Sequence, residues 1–263
     1  MENRTTTESA DAFNRLLEIM ARLRDKNTGC PWDCAQTSES IAKYTLEEAY
    51  EVYDAIEQND PSMLKDELGD LLFHVVFHSR IAEESGLFSV NDVVLGLCGK
   101  MISRHPHVFS DAKDAPNWED LKQQERRNKK QTAVLSGIAK SLPAATYAFK
   151  LQNRAARVGF DWDKPELVLD KIEEEIKELR TEMADSTHAR EQESEIGDLL
   201  FACVNLARKL GIDPEKALRG ANRKFERRFG YIEDSLKAQN KPFAETTLGE
   251  MESMWVEAKK KGL

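Results

Sequence analysis

The sequence predicts an all-α protein made of two tandem helical units, each of which contains a pair of acidic helices. Strand signals are weak along the 263 residues, because no segment alternates Val, Ile or Thr with polar residues and no Asn-Gly pair indicates a hairpin. Apolar residues instead recur at helical spacing. The motif Glu-Glu-x-x-Glu, followed by Glu-x-Gly-Asp-Leu-Leu-Phe, occurs twice. A repeat of this kind indicates two copies of one structural unit.

The chain divides into a tail, two units and a linker. The tail at residues 1–12 is polar and is predicted to be disordered, the first unit covers 13–132, the linker 133–143 and the second unit 144–263. Apolar spacing predicts first-unit helices at 11–24, 37–57, 61–85, 89–104 and 118–132. It predicts second-unit helices at 144–157, 165–185, 189–210, 214–239 and 247–261. Pro61 and Pro214 suit first helical turns, and Gly86 suits a helix end.

The acidic motifs place carboxylates on one face of paired helices. Glu175 and Glu178 are three positions apart, and Glu174 also neighbours Glu178. Glu195 and Asp198 are again three apart on the next helix, beside an apolar stripe. Two antiparallel helices would bring these like charges together, and repulsion and burial would then require a cation. Carboxylate oxygens are hard ligands, so we expect Mg²⁺, with Mn²⁺ as a substitute.

The alternative interpretation is a solvated acidic face paired with lysines, which is the commoner explanation for any single Glu-rich helix. Repetition favours a site instead. The equivalent carboxylates of the first unit are Glu48, Glu51, Glu67 and Asp70. The two Gly-Asp-Leu-Leu-Phe runs begin at 69 and 197, and a solvated face has no reason to repeat identity at that spacing.

A basic and aromatic set follows the acidic helices in each unit. One helix carries two cations four positions apart, and a later Trp precedes a Lys by four positions. These residues are Lys100, Arg104, Trp118 and Lys122 in the first unit, and Lys224, Arg228, Trp255 and Lys259 in the second. An aromatic face beside a cation suits a nucleotide, because the ring stacks on a base and the cation meets phosphate. A single basic helix face or a single Trp residue is mostly structural, so the evidence for a nucleotide site is that the set occurs in both units.

Composition excludes several classes of protein. The net charge of −9 and the pI near 5.3 disfavour a nucleic-acid binder, which would carry a basic surface. An anionic substrate remains possible, because local cations and a metal can reverse the field in one cleft. No apolar run is long enough to cross a membrane, and the N-terminus lacks a signal core. We therefore expect a cytoplasmic protein with reduced thiols.

Two further pairs of metal-ligand residues are given structural interpretations. Cys30 and Cys34 form a C-x3-C pair without a second Cys/His pair, so a zinc site is not expected. His74 and His78 are four apart on the acidic helix but lie among Val and Phe residues. We interpret them as packed or interfacial histidines.

These motifs together resemble the MazG-type nucleoside triphosphate pyrophosphohydrolases, and the resemblance covers nearly the whole chain after about residue 12. Besides the acidic pairs, the markers are residues 29–33 (Gly-Cys-Pro-Trp-Asp) with 36–37 (Gln-Thr), 104–109 (Arg-His-Pro-His-Val-Phe), 141–144, 158–162 and 222–229. The combination is specific, although no single marker is.

The resemblance implies an all-α MazG-like fold and Mg²⁺-dependent hydrolysis of (d)NTPs to monophosphate and diphosphate. It also implies a homodimer in which partner helices complete the bundle. The metal ligands carried over are Glu175, Glu178, Glu195 and Asp198, with Glu48, Glu51, Glu67 and Asp70 in the first unit. The substrate contacts carried over are Lys171, Asn222, Lys224, Arg228, Trp255 and Lys259. Cys98 stands where the second unit has Asn222, which places activity of the first unit in doubt.

The mechanistic hypothesis is a metal-activated water that attacks the α-phosphorus. Lys224 and Arg228 would neutralise the departing diphosphate, and Glu174 would act as general base. Stacking on Trp255 would give broad base specificity, since every base has a π-face. Two alternatives remain: a nucleotide sensor without activity, and a narrower dUTP or phosphoribosyl-ATP hydrolase. A third, a di-iron bundle, is disfavoured. The di-iron class requires Glu-x-x-His pairs, which the acidic motifs lack.

Overall fold

The computed structural model describes the backbone of residues 2–110, 133–184 and 188–263, and side chains from residue 7 onward within these ranges. No strand occurs in these ranges, which confirms the predicted all-α class. Contacts divide the chain into two compact units, Met1–Lys122 and Gln123–Leu263.

Apart from the start of α1, the bounds of the long described helices lie within a few residues of those predicted. In the first unit the helices are α1 (Glu2–Leu23), α2 (Pro31–Ala35), α3 (Ser38–Gln58), α4 (Pro61–Glu84), α5 (Val90–Arg104) and α6 (Pro106–Phe109). In the second they are α7 (Ala144–Ala156), α8 (Pro165–Glu182), α9 (Ala189–Lys209), α10 (Pro214–Ala238) and α11 (Leu248–Lys260), with a 3₁₀ turn at Phe243–Glu245.

The first unit is built on the α3–α4 hairpin, against which α1 packs. Its core consists of Met20 from α1, Ile41 from α3, and Val76 and Phe77 from α4, all at most 1% exposed. The hairpin turn is fixed by Asp60, whose carboxylate accepts hydrogen bonds from the backbone N–H groups of residues 62 and 63. That cap satisfies donors that would otherwise be unpaired at the start of α4. The turn therefore sets the register in which the acidic faces of α3 and α4 meet.

The second unit repeats this plan with the α8–α9 pair, and α7 packs on α9. Val168 of α8 and Val204 of α9 are buried in it. Helices α10 and α11 pack on each other, and α10 also contacts α7 and α9. Asp213 caps α10 as Asp60 caps α4, through the N–H groups of residues 215 and 216.

The structure departs from the sequence prediction at the N-terminus. The tail predicted to be disordered at 1–12 belongs to α1 from Glu2 onward. Helix extension adds one hydrogen bond for each residue fixed, so an amphipathic segment anchored to the core can extend through polar residues. The polar residues of this segment therefore indicate exposure to solvent and do not prevent it from forming a helix.

Some predictions fall outside the described residues. The helix predicted at 118–132, with Trp118 and Lys122, lies there, and so does the border between the two units. The predicted linker at 133–143 consists of turns and loop. Within the described ranges, no helix is long and apolar enough to cross a membrane.

Candidate functional site

Each helical hairpin brings three acidic side chains together. In the first unit, Glu48 of α3 and Glu67 and Asp70 of α4 each offer a carboxylate oxygen, and these oxygens lie within 4.8 Å of one another. In the second unit, Glu175 of α8 and Glu195 and Asp198 of α9 do the same. We call these the first and second clusters. Oxygen donors at such separations suit a hard divalent cation.

The fourth predicted ligand of each cluster lies beside the other three, and the side chain of Glu51 is in hydrogen-bond contact with Glu48 and Glu67. Burial raises the pKa of Glu67, and the neighbouring charge of Glu51 raises it further. Burial likewise raises the pKa of Glu195, and the charges of Glu178 and Glu175 add to this effect. Glu51 and Glu178 are therefore near enough for their charges to act on the other carboxylates of each cluster.

The first cluster is held by a chain of polar contacts that the sequence did not reveal. Thr45 Oγ1 lies 2.9 Å from His78 Nε2 and 3.3 Å from His74 Nδ1. The other nitrogen of His74, Nε2, is 3.8 Å from Glu48 Oε1. Burial lowers the pKa of both imidazoles. The two histidines are therefore packed, as the apolar sequence around them suggested. The hydroxyl of Thr45 joins them, which the sequence did not indicate.

Electrostatics in the first cluster favour a bound cation. Burial raises the pKa of Glu48, and the charges of Glu51 and Asp70 raise it further. Burial and neighbouring negative charges both disfavour the ionised carboxylate, and a nearby positive charge would favour it. A divalent ion would supply that charge, so the donor set fits the expected metal.

The second cluster already contains a positive charge. Lys171 Nζ lies 2.8 Å from Glu175 Oε1 and 3.0 Å from Glu174 Oε1. The hydrogen bonds to these two glutamates raise the pKa of Lys171. Glu175 is only 5% exposed, and a buried carboxylate of this kind needs a cation or several donors. Lys171, predicted as a substrate contact, is thus placed at the edge of the cluster.

Glu174, the predicted general base, lies outside the second cluster. Its side chain is 56% exposed and is paired with Lys171, and it contributes no oxygen to the second cluster. Glu174 and Glu175 are successive residues on α8, so they point about 100° apart around the helix axis. Of these two residues, only Glu175 faces α9.

The predicted nucleotide contacts are partly brought together. The guanidinium of Arg228 on α10 lies 5.5 Å from the ring centroid of Trp255 on α11. Arg228 Nε also donates a hydrogen bond to the Leu263 carbonyl at 2.8 Å. Asn222, Lys224 and Lys259 are exposed. Among the hydrogen bonds and ion pairs of the described residues, none joins these side chains to the second cluster.

Each unit also contains a clamp that fixes the loop before its acidic hairpin, and sequence reasoning missed both. Arg24 is 7% exposed, donates to the Glu84 carboxylate at 2.8 Å, and donates to the carbonyls of Asp33 and Gln36. In the second unit, Asp161 accepts hydrogen bonds from Arg208 and Lys209 at the end of α9. The sequence signal was Asp161 in the second unit only, because Arg24 bonds to the backbone carbonyl of Asp33 and not to its side chain.

Comparison with known proteins agrees with this arrangement. Residues 36–109 and 163–231, which contain the two acidic hairpins, match the MazG nucleotide pyrophosphohydrolase domain. An Escherichia coli protein named nucleoside triphosphate pyrophosphohydrolase is 47% identical over 256 residues, covering 94% of this chain and 97% of that protein.

Two other relatives extend the comparison. A Thermotoga maritima protein named nucleoside triphosphate pyrophosphohydrolase/pyrophosphatase MazG is 44% identical over 254 residues, 96% of this chain and 97% of that protein. A Bacillus subtilis protein named uncharacterized protein YabN is 42% identical over 253 residues, 94% of this chain but 51% of that protein. The similarity therefore spans both units.

Proposed function

Because the chain belongs to the MazG nucleotide pyrophosphohydrolase family, a family of hydrolases that act on acid anhydrides, we propose that it converts (d)NTPs to monophosphate and diphosphate. The observation that carries the proposal is the second cluster. It combines convergent carboxylate oxygens with a buried glutamate, on helices that match the family domain. A site of this composition is suited to a metal-bound triphosphate.

Mg²⁺ is the proposed cofactor, with Mn²⁺ as a substitute, because every donor in the second cluster is a carboxylate oxygen. Glu175, Glu195 and Asp198 would hold the ion, with Glu178 beside them. When bound, such an ion binds phosphate oxygens and lowers the pKa of a coordinated water. Carboxylates held in this way would fix the ion beside the triphosphate, so that the coordinated water could attack the α-phosphorus.

The remaining site residues have roles that follow from their charge and surroundings. Lys224 and Arg228 would neutralise the departing diphosphate. Trp255 would stack on the base, which supports broad base specificity. Exposure and pairing argue against Glu174 as general base. Glu178 is better suited to orient the water, because its charge acts on Glu195 within the cluster.

A homodimer is also proposed. Helix α5 has no buried residue, and Leu95 on it is 70% exposed. In the second unit, Leu200 of α9 is 62% exposed and Phe225 of α10 is 58% exposed. Apolar faces of this extent support burial against a second copy. A dimer could also bring basic residues of α10 toward a cluster that they do not contact within one chain.

The test is a product analysis. The purified protein is incubated with each NTP and dNTP, with Mg²⁺ and with EDTA, and the products are resolved. Monophosphate plus diphosphate, formed only with the metal, is the expected result, and similar rates across bases would support broad specificity. Formation of a nucleoside diphosphate and orthophosphate would contradict attack at the α-phosphorus. Binding without turnover on any nucleotide would instead favour a sensor.

A further inference from the structure

The two clusters differ in the group that faces their most buried glutamate. In the second cluster the ammonium of Lys171 contacts Glu175. Tyr44 occupies the same position of the first unit, four residues before Glu48, as Lys171 is four before Glu175. Glu48 instead faces the buried imidazole of His74, and Ala202 stands at the position of His74 in the second repeat.

These partners have different charges. The ammonium of Lys171 lies 2.8 Å from Glu175 Oε1. Among the ion pairs of the described residues, no lysine or arginine pairs with Glu48, whose partner is the His74 imidazole at 3.8 Å. The second cluster therefore has an internal counterion and the first does not. Like charges repel, so a divalent ion entering the second cluster must compete with Lys171 for Glu175.

Lys171 is also free to change partners. Its side chain is 33% exposed and already divides its hydrogen bonds between Glu175 and Glu174. A lysine ammonium sits on a flexible four-carbon stem and binds phosphate as a point charge. A triphosphate at the cluster would offer acceptors with more negative charge than one carboxylate. The contact with Glu175 would then be exchanged for one with phosphate.

We propose that Lys171 couples metal binding at the second cluster to the presence of the nucleotide. Without triphosphate, its ammonium occupies Glu175 and weakens binding of a divalent ion. With triphosphate, the ammonium moves to phosphate and Glu175 becomes available to the metal. The first cluster, which lacks this counterion, binds a divalent ion without nucleotide. The inference rests on the proposed function, because it assumes that the second cluster binds a metal and a triphosphate.

The test measures Mn²⁺ binding, not turnover. Free Mn²⁺ is followed by electron paramagnetic resonance in the full chain, with the first cluster disabled by Glu67→Gln and Asp70→Asn. Titrations are made with and without a dNTP analogue whose α–β bridging oxygen is replaced by CH₂, and are corrected with protein-free Mn²⁺–nucleotide mixtures. The Lys171→Met change is added to this background. Lys177→Met, an exposed lysine on the same helix, is the matched control for the loss of one positive charge.

Without analogue, Lys171→Met should tighten Mn²⁺ binding by about tenfold or more, because even water-like screening gives an appreciable repulsion between a unit and a divalent charge a few ångströms apart. Lys177→Met should change it by less than about twofold, since exposed charges are strongly screened. The analogue should tighten Mn²⁺ binding in the background protein far more than in Lys171→Met. Lys171→Arg, which keeps the charge, should retain weak binding without analogue.

Three results separate the hypotheses. If Lys171→Met weakens Mn²⁺ binding or matches Lys177→Met, the coupling is overturned. If the background protein binds Mn²⁺ equally well with and without analogue, it is also overturned, and this measurement does not depend on how any Lys171 variant folds. If neither cluster of the unmodified chain binds Mn²⁺ under any condition, the proposed function itself fails.

Discussion

Replacing Glu175 by Gln should remove most turnover, whereas the same change at the adjacent Glu174 should leave it nearly intact. The two residues form a matched pair, because both contact Lys171 and both variants lose one negative charge. They differ in position. Glu175 is buried and shares the second cluster with Glu195 and Asp198, while Glu174 points into solvent.

The size of the effect follows from this geometry. At about 4 Å, a unit charge and a divalent ion attract by about 2 kcal/mol with full water screening, and by more in a partly buried site. Glu175→Gln should therefore lower kcat/KM by at least about 30-fold. Glu174→Gln loses one exposed ion pair, which is worth about 0–1 kcal/mol, so its effect should remain within about fivefold. Far-UV circular dichroism should not change in either variant, because Lys171 keeps one carboxylate partner.

The assay is diphosphate release from dNTPs at saturating and limiting Mg²⁺. A higher Mg²⁺ requirement in Glu175→Gln, with Glu174→Gln unchanged, would match loss of a metal ligand. Retained activity in a well-folded Glu175→Gln protein would refute the site. Equal and severe losses in both variants would restore Glu174 as the general base and would show that its exposure in the free protein is misleading.

Three further predictions follow from other parts of the structure. Arg24→Met should lower the free energy of unfolding of the first unit by about 1.5–3 kcal/mol, because it removes the more buried of the two arginines that pair with Glu84. Arg80→Met, which removes more exposed pairs with Glu83 and Glu84, should cost less than about 1 kcal/mol in the same urea titration. Mg²⁺ should raise the melting temperature more at pH 7.5 than at pH 5.5. Burial and neighbouring acids raise the pKa values of Glu48, Glu67 and Glu195, so the folded protein loses stability as the pH rises through these raised pKa values. A bound cation reverses that loss, because it stabilises the ionised carboxylates. An equal gain at both pH values would contradict this. Trp255→Ala should raise KM for every base by a similar factor of about 5–100, and a loss confined to one base would indicate specific recognition.

Local patterns predicted the helices and the acidic faces well, for reasons that are visible in the structure. Asp60 and Asp213 cap α4 and α10 next to prolines that cannot continue a preceding helix. The i, i+3 spacing of Glu195 and Asp198 is fixed by helical geometry, so their convergence needed only the correct pairing of helices. The contact between Lys171 and Glu175 also follows an i, i+4 spacing and could have been anticipated.

Features that depend on distant residues could not be predicted in this way. The rotation of α8 that buries Glu175 and exposes Glu174 is set by packing on α9, and the motif contains both residues equally. Arg24 meets Glu84 across 60 positions of sequence, and no local pattern links them. The hydroxyl of Thr45 between His74 and His78 is likewise a consequence of pairing α3 with α4.

The repeat explains why the two clusters look alike, while the positions that differ indicate why they need not act alike. Duplicated helices fix the carboxylates in both units, because their spacing is a property of the helix. The partner of the buried glutamate is free to vary, as a single side chain decides it: Lys171 in one unit, Tyr44 with His74 in the other. If both clusters bind metal, we expect the cluster without an internal cation to bind it more strongly and without nucleotide, whereas the cluster with a displaceable cation should also respond to an anion. The second unit therefore has the arrangement expected where metal and triphosphate must arrive together, and the first has that of a site that holds a metal without substrate.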